Sequence, residues 1–212
     1  GSDNNRSFNT GEFRVEEFRL PVFEGNIAPT DKKALVNLKA LPLSVQVNYV
    51  AGGAASSLPV RVSAMVRSKY LHFSDFDAFS FSPPRTDQAS SNEHAEEESA
   101  SQDNRVVADK LPLTLDKNGA GKLTIDKLPA SRQPQDLVLE ASYADPNGEV
   151  QTIRSTQTLW PSGVVAGIKT EGWVSSGRQI KFQALALDTS GKPLADVALE
   201  VKDIPAGNVA DF

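Results

Sequence analysis

The 212-residue chain contains no cysteine, which excludes disulfides, cysteine nucleophiles and thiolate metal sites together. It has only two histidines, His72 and His94, in unlike surroundings, and neither has a second histidine beside it to form a metal pair. Lys and Arg number 22 against 27 Asp and Glu, for a net charge of -5. The cations are not clustered, so the basic footprint that nucleic-acid binding requires is missing. No apolar run approaches the roughly 20 residues of a membrane-spanning helix, so no direct membrane insertion is expected. There is no G-x-S-x-G, no Gly-rich phosphate loop and no Cys or His nucleophile constellation. Nor does an amphipathic helix of more than about two turns appear.

What is present is alternation. Leu43, Val45, Val47 and Tyr49 alternate with polar residues, Gly52-Gly53 opens a turn, and Leu58, Val60, Val62, Ala64 and Val66 alternate again. This pattern predicts an antiparallel pair with a longish loop. Leu111, Leu113 and Leu115, the turn Asp116-Lys117-Asn118-Gly119, and Leu123 with Ile125 predict a second hairpin. Leu137 to Tyr143, the turn Asp145-Pro146-Asn147-Gly148, and Val150 to Leu159 predict a third, with room for a bulge. About seven strands between Val22 and Leu159 fit an immunoglobulin-like sandwich, with a barrel as the weaker alternative. After Trp160-Pro161 the pattern restarts at Val164 to Lys169 and Ile180 to Leu187. It then turns at Asp188-Thr189-Ser190-Gly191 and resumes from Pro193 to Val201. The expectation is a tandem array whose second module is incomplete, since a sandwich takes about 100 residues. The opening Gly1-Ser2 reads as a tag remnant, and the chain as an internal piece of a larger protein with any export signal outside it.

Between Phe81 and Val107 the sequence turns Ser-rich and acidic. It carries Pro83, Arg85, Glu93, Glu96, Glu97, Glu98, Asp103 and Arg105 and is expected to be a mobile insertion at 82–106. Pro83, Arg85, the four glutamates and Arg105 are candidates for a protease-accessible or docking loop; the plainer reading is a tolerated surface insertion. His94 beside those glutamates reads as a solvated charge run rather than a cation site. Tyr70 to Phe73 reads as a strand, and Phe73, Phe79 and Phe81 have the spacing of one strand face. Core is the default for these rings, and the alternative is an exposed partner surface formed with Phe76, Asp75 and Asp77.

Residues 13–25, FRVEEFRLPVFEG, read as a strand, a break at Pro21 and a new strand. Glu16 and Glu17 are adjacent and point to opposite faces, so they are not a catalytic carboxylate pair. The segment resembles the junction between successive macroglobulin-like domains of alpha-2-macroglobulins, through Phe13, Val15, Glu16, Glu17, Phe18, Pro21, Phe23 and Glu24. The resemblance implies an all-β fold of antiparallel immunoglobulin-like (macroglobulin-like) β-sandwiches in tandem. Residues 1–12 would be a tag scar and disordered lead, 13–20 an interdomain strand, 21–159 one complete domain, and 160–212 the start of another. Phe13, Glu16, Glu17, Phe18, Pro21, Phe23 and Trp160 would be interdomain contacts.

By the same resemblance the whole protein would be a large bacterial periplasmic protease inhibitor that entraps proteases after bait cleavage. Any membrane anchor would lie elsewhere in it. Its partners would be proteases, other periplasmic proteins and the neighbouring domains of the same chain, with no cofactor and no metal. The family places its bait in a later domain, which counts against that role for the acidic insertion. A reactive thioester, found in many relatives, cannot form here without cysteine. The chain is then a non-catalytic scaffold and not an enzyme. A reading from another class is a carbohydrate-binding or adhesin-type sandwich of a cell-surface protein, which would need exposed aromatics around Trp173.

Overall fold

The computed structural model describes residues 22–81, 104–173 and 180–199, with the backbone alone for 171–173 and 180. Ten strands run β1 (Phe23–Pro29), β2 (Leu35–Val36), β3 (Leu41–Tyr49), β4 (Pro59–Ser68), β5 (Arg105–Thr114), β6 (Ala120–Ile125), β7 (Gln135–Ala144), β8 (Val150–Trp160), β9 (Val164–Trp173) and β10 (Ile180–Asp188). Among the described residues the only helical element is a 3-10 turn at Ser74–Phe76. A three-stranded sheet of order β1-β3-β6 faces a five-stranded sheet of order β2-β8-β7-β4-β5, and β9 with β10 makes a separate two-stranded sheet.

Side chains of a strand alternate between its two faces, so each period-2 apolar run supplies one inner face. Leu41, Leu43, Val45 and Val47 of β3 are all at most 2% exposed, and Val60, Val62, Ala64 and Val66 of β4 meet them from the opposite sheet. Leu137, Leu139, Ala141 and Tyr143 of β7, with Phe23 and Ile27 of β1, complete the main core. These runs behave as the sequence predicts.

The pairing differs in two places. β3 and β4 are not hydrogen-bonded partners: β3 pairs with β1 and β6, whereas β4 pairs with β5 and β7. β5 and β6 likewise lie in opposite sheets. Both turns form, but each carries the chain across the sandwich instead of back along the same sheet. Burial explains this, because both strands at such a turn bring apolar faces that must meet across a core, and crossing between sheets lets them.

The third hairpin is present as β7 and β8, with register unbroken from Gln135↔Leu159 to Ala144↔Val150, so the bulge allowed for there is absent. Register shifts fall instead between β4 and β5, around Ala64 where Lys110 adopts φ 47°, and in the β9–β10 pair, between Ile180 and Phe182. β2 runs parallel to β8, an exception to the antiparallel expectation. Residues 69–73 are not a strand; the chain runs irregularly into the 3-10 turn. Beyond β10, residues 194–199 are outside any strand and only Pro193 makes a bridge, to Leu187.

Three turns share one design. Asp116, Asp145 and Asp188 each accept two backbone N–H bonds on Oδ1, from the residues two and four positions later, at 2.7–3.0 Å. In each, the glycine three positions on (Gly119, Gly148, Gly191) has φ between 71° and 85°. This is a type I turn followed by a left-handed residue, which is why the sequence repeats Asp-x-(Asn/Ser)-Gly.

Candidate functional site

The feature that sets this molecule apart from a plain sandwich lies where the two sheet systems meet. Neighbouring antiparallel strands such as β4 and β5 need only a short hairpin. Here residues 69–81 leave β4 and lie against the β9–β10 sheet, forming a strap. Lys69 roots it, donating its backbone N–H to the Pro134 carbonyl at 3.0 Å and its Nζ to Asp136 at 2.7 Å. At the far end Ser80 and Ile168 exchange two backbone hydrogen bonds of 2.8 and 2.9 Å, so the strap adds to the free edge of β9.

A second apolar core results. Phe81, Val165 and Leu187 are buried, and Phe73, Phe76, Phe79, Leu185 and Trp160 pack on them. Phe73 and Phe81 meet edge to face at 4.8 Å, and Phe76 and Phe79 at 6.4 Å, geometries that aromatic quadrupoles favour. Two glycines admit the rings. A Cβ on Gly167 would stand 2.5 Å from Cε1 of Phe81, and one on Gly191 would stand 2.8 Å from Cδ1 of Phe73. The core reading holds in full for Phe81, while Phe73 and Phe79 are half-buried against that core, and all three sit on a turn-containing strap rather than a strand face. His72 Nε2 and Asp77 Oδ1 lie 3.3 Å apart, both side chains exposed.

Trp160 closes β8, pairs with Val36, accepts the Asn37 N–H on its carbonyl at 2.8 Å, and reaches the second core. Phe23 is 7% exposed and packs against Tyr49 at 4.6 Å and Tyr143 at 5.6 Å, inside the first sandwich. Arg105, expected in the mobile insertion at 82–106, instead begins β5 opposite Val66, with Val106 opposite Met65, because both can extend the ladder to β4; the insertion's expected end is too late. Phe13, Glu16, Glu17, Phe18, Pro21, Pro83, Arg85, Glu93, Glu96, Glu97 and Glu98 lie outside the described residues, as does His94. Trp173 ends β9, and its side chain is likewise outside the described set. Sequence reasoning missed Gly167, Gly191 and Lys69; a glycine inside the β9 pattern was the available signal of close approach.

Among the described residues no group of three or more His, Asp or Glu could hold a metal ion. A depression of about 190 Å³ on the outer face of the five-stranded sheet is lined by Met65, Val106, Val138, Asp109 and Glu140. It is smaller than the few hundred Å³ typical of ligand pockets, and its Glu140 is already paired with Arg154.

No family model and no curated protein matches the sequence. Solved structures do. Escherichia coli alpha-2-macroglobulin in its native conformation superposes with a TM-score of 0.57 at 20% identity, over 83% of this chain and 11% of that one. This chain has the fold of a segment of the bacterial alpha-2-macroglobulins. Salmonella alpha-2-macroglobulin reacted with methylamine gives a TM-score of 0.59 at 19% identity, over 84% of this chain and 12% of that one. Escherichia coli alpha-2-macroglobulin activated by porcine elastase gives 0.57 at 21%, over 82% and 15%. The chain thus spans less than a sixth of the alpha-2-macroglobulins it matches, and the macroglobulin-like sandwich expected from residues 13–25 is what they share with it.

Proposed function

We propose that this chain is a non-catalytic scaffolding segment of a large bacterial alpha-2-macroglobulin-like protease inhibitor that works in the periplasm. The observation that carries the reading is the superposition of more than four-fifths of the chain on a small part of proteins whose structures include a form activated by elastase. The junction-like residues Phe13, Glu16, Glu17, Phe18 and Pro21 support it from the sequence side, with 13–20 as an interdomain strand, 21–159 as one sandwich and 160 onward as the next. On this reading the segment holds the walls of a protease trap and contacts neighbouring domains, while proteases engage the larger protein. The acidic stretch around Glu93 to Glu98 is a secondary docking or protease-accessible candidate, on its charge and composition alone.

The test uses the larger protein and this chain side by side, each mixed with trypsin or elastase. Trapping leaves the protease active on a small peptide substrate but blocks a large protein substrate. The larger protein should show that split, and this chain alone should leave both activities untouched. Inhibition by the isolated chain, or no size-dependent inhibition by the larger protein, overturns the proposal.

A further inference from the structure

Two attachments, one covalent and one by packing, join the first sandwich to the β9–β10 sheet. One is the link Pro161-Ser162-Gly163, and the other is the strap. A module carried on one short link is expected to change orientation freely unless a sizeable interface holds it. A Cβ on Gly163 would meet nothing within 4 Å, so the link itself is not braced by neighbours at that point. The strap supplies the brace. Its root is fixed to the five-stranded sheet by Lys69 on Pro134 and Asp136, and its tip is fixed to β9 by the Ser80 and Ile168 pair. Between them Phe73 and Phe81 enter sockets at Gly191 and Gly167, one in the β10 turn and one within β9.

We infer that the strap is a clasp whose partner is the inner face of the β9–β10 sheet, and that it locks the orientation of that sheet relative to the first sandwich. Two attachments at separate points remove the swivel that either would permit alone. The sockets make the fit specific, because a side chain at either glycine would need the space a ring now fills. The inference does not rest on the protease-inhibitor reading and applies to this tandem pair in any parent protein.

The absence of cysteine allows two spin labels to be placed at will. Lys122→Cys on β6 and Thr170→Cys on β9, both exposed, report the distance between the two sheet systems by double electron–electron resonance. The expected result is one narrow distance peak in the parent chain and its loss to a broad distribution in Phe81→Ser. Unchanged amide protection of β3 and β7 would show that the first sandwich is intact. Ser80→Pro, which deletes the N–H donated to Ile168 but keeps every ring, should broaden the peak as well, so the proposal stays testable if Phe81→Ser does not fold. A broad distribution in the parent chain, or narrow peaks retained in both variants, overturns it.

Discussion

The Ser155 hydroxyl donates to the Ile27 carbonyl at 2.6 Å and bridges β8, at a point that β2 does not cover, to β1 at the edge of the three-stranded sheet. β1 and β8 share no backbone ladder, yet this side-chain bond brings them together. The bond occupies a carbonyl that would otherwise face a partly buried gap. Ser155→Ala should therefore cost about 1 kcal/mol, the net worth of one such bond. The urea midpoint of the purified chain is the measurement, and an unchanged midpoint would mean water replaces the hydroxyl without loss.

The three Asp-x-x-Gly turns share backbone geometry but differ in what surrounds the glycine. A Cβ on Gly119 would lie 2.3 Å from the Val47 carbonyl oxygen, whereas one on Gly148 would meet nothing within 4 Å. Gly148→Ala should thus cost only the left-handed backbone penalty of about 1–2 kcal/mol. Gly119→Ala must also displace β3 and should cost about 3 kcal/mol or more. Equal losses in thermal unfolding would sink the steric account.

Asp188 gives the pH dependence a sign. The Ser190 hydroxyl, the backbone N–H groups of Lys192 and Ser190 and the Lys192 charge all favour its carboxylate, holding its carboxyl below the ordinary 3.8. A lowered folded value means that the stabilisation is present above the unfolded value and is lost as pH falls through the folded one. Acidification below about pH 4 should loosen the β10 turn, read as faster hydrogen exchange at Gly191 and Lys192. The same change should be absent in Asp188→Asn.

Position within the core sets the scale for truncations. Leu139 is fully buried at the centre of β7, while Val150 on β8 is 74% exposed. Leu139→Ala should lose about 2–5 kcal/mol, and Val150→Ala should stay within about 0.5 kcal/mol. Chemical denaturation of both variants checks the contrast.

The strands were legible because burial on one face writes a period of two into the sequence, as at Leu43-Val45-Val47 and Leu137-Leu139-Ala141. Sheet membership was not. Asp116-Lys117-Asn118-Gly119 states that the chain reverses, but the same turn serves a hairpin at Asp145 and a crossing between sheets at Asp116. What decides between them is the distant partner: β6 is held by β3, and β5 by β4. The strap was half legible. Its phenylalanines announce burial, but the sheet that receives them starts over eighty positions later, at Val164. Only the glycines at 167 and 191 hint at where the rings go.

The span from Ile27 to Ser155 has a kinetic meaning as well. These residues lie 128 positions apart, and β2 likewise finds its parallel partner only at Leu159. During synthesis β1 and β2 leave the ribosome long before β8 exists to cover them. Ordering so distant a contact costs loop entropy before it is rewarded, which slows folding. β1 can already pair with β3, but the Ile27 carbonyl and the two residues of β2 stay uncovered until β8 is made, and at those points the nascent chain is open to chaperones or to neighbouring chains.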